Sequence, residues 1–85
     1  MRLVFDDHAF EDFSWFISND PKLAKKTIAL IQDIKRTPFK GIGKPEPLKH
    51  ELSGCWSRRI NTEHRLVYQV TEEEIRILAC RYHYK

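Results

Sequence analysis

The apolar residues of this 85-residue chain change their spacing once, and that change decides the fold class. Up to Arg36 they recur three and four apart, as on a helix with one buried side. From Glu46 onward they alternate with polar residues, as in strands with one buried face. Arg2 to Phe5 reads as a short strand. Asp6 and Asp7 suit the cap of a first helix running to about Ser18, with Ala9, Phe10, Phe13, Phe16 and Ile17 toward the core and Trp15 opposite them. Asp20-Pro21 opens a second helix that runs to about Arg36, its stripe made by Leu23, Ala24, Thr27, Leu30, Ile31 and Ile34. Thr37-Pro38 disfavours further helix, and Gly41 and Gly43 predict a mobile polar loop.

The second half predicts strands at 48–52, 56–61, 64–71 and 75–82, separated by turns at Ser53-Gly54, Thr62-Glu63 and the acidic tip Glu72 to Glu74. The order β-α-α-β-β-β-β specifies one α+β domain over residues 1–85. Two N-terminal helices pack on one face of a small twisted, mainly antiparallel sheet, and the other face is free to form a concave polar surface. Pairing Thr71 with Glu74 puts Leu66, Tyr68 and Val70 with Ile75, Ile77 and Ala79 under the helices. It puts Arg65, Val67 and Gln69 with Arg76, Leu78, Cys80 and Tyr82 on the open face.

A chain of this length buries only about 60 to 65% of its unfolded surface, which leaves room for one compact core. Cys55 and Cys80 lack the spacing of a zinc site or a disulfide framework and read as reduced packing residues. The N-terminus lacks an apolar run of signal-peptide length, and no stretch approaches the roughly 20 apolar residues of a membrane span, so a soluble, cytoplasmic protein is expected. Charge is unevenly spread. Residues 1–20 carry Arg2 against Asp6, Asp7, Glu11, Asp12 and Asp20, a balance of −4, whereas residues 21–65 carry eleven Lys and Arg against four acids, a balance of +7. A basic middle favours a polyanion partner, because each neutralised phosphate releases counterions.

The stretch Gly43 to Tyr68 holds more polar reactivity than a core needs. Pro45 and Pro47 stiffen the backbone around Glu46 and push it to an extended conformation, which pre-orients a carboxylate suited to a general base. Lys44, Lys49 and His50, then Arg58, Arg59 and Arg65, can hold phosphate or offset charge in a transition state. His83, in Arg-Tyr-His-Tyr-Lys, has an unperturbed pKa near 6.5 and can give or take a proton at cellular pH; His64 and His50 are alternatives, and His8 reads as structural or exposed. Acid, base and cation together make a ribonuclease-like set.

Arg36-Thr-Pro-Phe39, Gly43-Lys-Pro-Glu-Pro-Leu-Lys-His50, Leu52-Ser-Gly54, Trp56-Ser-Arg-Arg-Ile60, Glu63-His-Arg-Leu-Val-Tyr68 and Cys80-Arg-Tyr-His-Tyr84 carry a whole-length resemblance. The chain resembles the YoeB toxins of bacterial toxin-antitoxin modules, in the RelE/ParE superfamily. The resemblance implies a ribosome-dependent endoribonuclease, an mRNA interferase that cuts messenger RNA in the ribosomal A site without metal or cofactor. It implies Glu46 as general base, Arg65 as transition-state stabiliser, His83 as general acid and Tyr84 beside it, with Lys49 and Arg59 on RNA phosphates; on charge alone, Lys44 and Arg58 join the phosphate-binding set. Implied partners are a YefM-like antitoxin, the ribosome and its message, a second copy of the chain, and operator DNA bound by the toxin-antitoxin complex.

Two departures accompany the resemblance. Lys85 extends the chain one residue past Tyr84, moving the terminal carboxylate and adding a cation that disfavours an imidazolium at His83. The apolar register also puts Arg65 with Tyr82 and Tyr84, and His83 on the other side, so that a bulge or a terminal twist is needed to bring His83 to the site. A non-catalytic RNA- or DNA-binding module using the same basic face is the alternative function, and a toxin of the same superfold directed at a protein such as gyrase is a third reading.

Overall fold

The computed structural model describes residues 1–82, in which the elements run β1 (Arg2–Phe5), α1 (Asp7–Asn19), α2 (Pro21–Arg36), β2 (Glu46–Pro47), a 3-10 turn (His50–Leu52), β3 (Trp56–Arg59), β4 (Arg65–Val70) and β5 (Glu74–Ala79). Among these residues the strands form one five-stranded sheet in the order β1-β5-β4-β3-β2. β1 lies parallel to β5, and the other neighbours are antiparallel. The α+β class and the order of elements are as the change of spacing requires. No helix among the described residues is long and apolar enough to cross a membrane.

The core joins Ala9 and Phe16 of α1, Ala24, Leu30, Ile31 and Ile34 of α2, and Leu66, Tyr68, Ile75 and Ile77 of the sheet. Each fully buried side chain of the size of Leu30 or Ile77 contributes about 1.5 to 3 kcal/mol by leaving water. The stripe of α2 is as expected. That of α1 is rotated: Phe10 is 61% and Ile17 55% exposed, while Asp12 is buried. The cause is a polar partner, because Asp12 Oδ2 accepts the Cys80 N–H at 3.0 Å and turns that side of the helix inward. Asp6 stands at the start of α1 without a side-chain capping bond, and its carboxylate instead takes Nη1 of Arg76 at 2.7 Å.

Three further expectations are corrected. The strand expected at 48–52 is replaced by the two-residue β2 and the 3-10 turn, with His50 in the left-handed region at φ 59. Pro47 lacks an N–H and suits only an edge, and the Leu52 and Ser53 N–H groups bond back to Lys49 and His50. The loop at 37–43 is not a free polar loop, because it wraps around the guanidinium of Arg58. Finally, the β4–β5 register passes from Tyr68↔Ile77 to Val67↔Ala79, which leaves Leu78 unpaired in a bulge. A bulge here is one of the two devices expected near the end of the chain; what it corrects is the face of Cys80, which by the reversed parity enters the core instead of the open face. There burial, with Asp12 second, pushes its thiol up to about 12, which keeps it protonated at neutral pH.

Candidate functional site

The ladder determines which side chains share the face away from the helices. Trp56 and Arg58 of β3 pair with Tyr68 and Leu66 and point toward the helices, so Ser57 and Arg59, opposite Val67 and Arg65, point away. Glu46 pairs with Ser57 and therefore joins them. One open face thus carries Glu46 on β2, Arg59 on β3 and Arg65 on β4, with Glu46 and Arg59 exposed. The exposed cations Lys44 and Lys49 flank β2 at its two ends.

Several local devices hold this arrangement. Nη1 of Arg65 donates to the Asn61 and His64 carbonyls at 2.9 and 3.3 Å, which sets the direction of its planar fork. The turn before it is closed by Asn61 Oδ1, which accepts the Glu63 and His64 N–H groups at 2.9 and 2.7 Å. Ahead of Glu46, the Gly43 carbonyl accepts the Arg59 N–H at 2.7 Å. Gly43 has φ 80, and a Cβ there would stand 2.8 Å from Leu30 Cδ2, so a side chain is excluded by both backbone and space.

Arg58, expected among the phosphate-binding cations, is fully buried on the opposite face. Nη1 donates to Asp33 Oδ2 and to the Ile42 carbonyl, Nη2 to the Thr37 and Lys40 carbonyls, and Nε to the Tyr68 hydroxyl. Tyr68 in turn donates to the Pro38 carbonyl at 2.7 Å. This guanidinium is the post around which residues 37–43 are wound, and it has no donors left for RNA. The hydrogen bond from Arg58, with the Ile42 N–H second, holds the Asp33 carboxyl below its ordinary range.

Of the other histidines, His50 is exposed on the 3-10 turn, and His8 is exposed with Nε2 3.5 Å from Asp12. His64 is buried, its ring edge-on to Phe16 at 5.2 Å between centroids, and its Nδ1 accepts the Tyr82 N–H at 2.6 Å. Trp15 is not bare: the Arg81 guanidinium lies 3.7 Å over its ring centroid. Asp12 holds the Cys80 N–H and Trp15 the Arg81 guanidinium, roles that no local spacing revealed. His83, Tyr84 and Lys85 lie outside the described residues.

A model of the YoeB-like toxins of bacterial type II toxin-antitoxin systems matches residues 5–84. The chain belongs to that family. Toxin YoeB of Escherichia coli K12 is 54% identical over 84 residues, spanning 99% of this chain and 100% of that toxin. The YoeB/ParE toxin structure from Agrobacterium tumefaciens superposes with a TM-score of 0.96 at 43% identity, covering 99% of this chain and 100% of that one. The Staphylococcus aureus YoeB dimer gives 0.93 at 49% identity, covering 99% and 98% of the two chains. That organism's YoeB is also solved in a heterotetrameric YoeB-YefM complex, with a TM-score of 0.91 and the same identity and coverage.

Proposed function

We propose that this YoeB-family toxin is a ribosome-dependent endoribonuclease acting on messenger RNA in the A site. The observation that carries the reading is the shared open face of Glu46, Arg59 and Arg65, flanked by Lys44 and Lys49. In the proposed reaction the Glu46 carboxylate removes the proton from a ribose 2'-hydroxyl. The 2'-oxygen attacks the adjacent phosphorus and the bond from phosphorus to the 5'-oxygen breaks, leaving a 2',3'-cyclic phosphate. Arg65 offsets charge on the phosphate oxygens, Lys49, Arg59 and Lys44 hold the flanking backbone, and His83, with Tyr84 beside it, protonates the departing oxygen. Tyr82, the residue before His83, accepts the Arg65 N–H through its carbonyl at 3.1 Å, which ties the start of that segment to the arginine's backbone and supports its part in the same site.

A YefM-type antitoxin with an acidic segment is the proposed inhibitor, since it would cover the basic face by charge complementarity, and a second copy of the chain and operator DNA complete the proposed assembly. The test is to map the 5' ends of messages after brief induction. Wild type is expected to leave new ends within translated messages, and Glu46→Gln to leave none while still binding ribosomes. Equal growth arrest by both proteins, without new ends, would instead support a non-catalytic binding module.

A further inference from the structure

We propose that His64 is a positioning residue for this reaction: its Nδ1 fixes the backbone of Tyr82, the residue that directly precedes the general acid proposed at His83. The inference rests on the ribonuclease reading and deepens it. From Cys80 to Tyr82 the chain lies outside β5, and side chains accept the Cys80 and Tyr82 N–H groups. Asp12 Oδ2 accepts the Cys80 N–H at 3.0 Å, and His64 Nδ1 accepts the Tyr82 N–H at 2.6 Å. The Tyr82 carbonyl accepts the Arg65 N–H at 3.1 Å. One dipeptide, His64-Arg65, therefore binds both the N–H and the C=O of Tyr82, and the same arginine directs its guanidinium from the open face.

Tyr82 needs such fastening. Its φ is 66, in the left-handed region, where a non-glycine residue is strained and persists only when its surroundings hold it. Arg81 holds the other side, stacking on Trp15 and donating from Nη2 to the Tyr82 hydroxyl at 2.9 Å. His64 is itself locked. Phe16 packs edge-on to its ring, its own N–H goes to Asn61, and Nε2 lies 3.5 Å from Glu63. With Nδ1 accepting, the ring is unprotonated there. A histidine required only for bulk would be replaceable by an apolar residue of similar size; this one supplies an acceptor to the N–H of Tyr82, the residue directly before His83.

The experiment uses the full chain on programmed ribosomes, with single-turnover cleavage, ribosome affinity, thermal midpoint and hydrogen exchange at the Tyr82 amide measured for four proteins. Asparagine carries an oxygen where Nδ1 stood, whereas glutamine and leucine do not. His64→Leu and His64→Gln are expected to cut about 10- to 100-fold more slowly at saturating toxin, with ribosome affinity within about two-fold of wild type and faster Tyr82 exchange. His64→Asn is expected to recover most of the rate and the protection. Should His64→Leu fail to fold, the Asn and Gln pair carries the test alone. Equal rates for Asn and Gln, or a loss that tracks the thermal midpoint or ribosome affinity instead of Tyr82 exchange, would overturn the positioning role. Wild type that leaves messages intact would sink the ribonuclease reading itself, and the inference with it.

Discussion

Arg58 and Arg59 are adjacent in the chain and face opposite sides of β3. The first is fully buried among Asp33, Tyr68 and the carbonyls of residues 37–42, while the second is exposed on the face that carries Glu46 and Arg65. The side toward the helices uses a cation to satisfy buried carbonyls and wind a loop. The side toward solvent keeps Arg59 exposed and Arg65 half-buried, within reach of an anionic ligand. A single step along a strand separates stability from recognition, because successive side chains point to opposite faces. Residue type says nothing about which role is played.

If the two faces of β3 divide the roles in this way, the largest effect of substitution belongs to the open face. Glu46→Gln is expected to lower cleavage by about 10²- to 10⁴-fold, the usual contribution of a general base, with a thermal midpoint near that of wild type. A large fall in the midpoint would make Glu46 a structural residue and erase the division. On the buried face, Arg58→Met is expected to lose about 3 kcal/mol or more of stability, since it removes the partner of Asp33 and orphans several carbonyls. For a domain of this size that is a fall of more than about 10 °C, readable by calorimetry. An Arg58→Met protein as stable as wild type but poor in RNA binding would return Arg58 to the set of phosphate ligands.

Arg59→Ala sharpens the same contrast at smaller amplitude. Ribosome or RNA binding is expected to weaken, and the slope of log affinity against log salt to become shallower by about 0.7, one phosphate contact on a single strand, with stability nearly unchanged. The last test is acid titration. The Asp33 carboxyl is held below its ordinary value of about 3.8, chiefly by the Arg58 hydrogen bond, so the folded state binds that proton less tightly than the unfolded chain does. The stabilisation from this pair is complete above the ordinary value and fades as pH falls through the folded one. Wild-type stability should therefore drop below about pH 4, and Arg58→Met should lack that part of the drop. Parallel acid curves for the two proteins would show that the pair is not what the titration senses.

The residues expected at the site were legible where local geometry decides and opaque where it does not. Pro45 and Pro47 marked Glu46 because proline constrains its neighbours regardless of context. Arg59 and Arg65 stood out with Arg58 as one basic cluster, yet only pairing with β4 separates Arg58 from the others. His64 read as a possible proton carrier, and its partner, the Tyr82 amide, lies 18 residues further along the chain.

The helical and strand halves, the course of α2, the order of elements and the stretch that holds most of the proposed site residues can all be read from the amino-acid sequence. These follow from spacing and from proline and glycine, which act on the backbone within a few residues. Only the tertiary structure decided that α1 turns Asp12 inward, that the bulge at Leu78 sends Cys80 into the core, and that Arg58 stays inside while Arg59 faces out. Each of these answers a buried polar group's need for a partner from a distant part of the chain, as Asp12 meets Cys80 and Asp33 meets Arg58. No local pattern records that pairing.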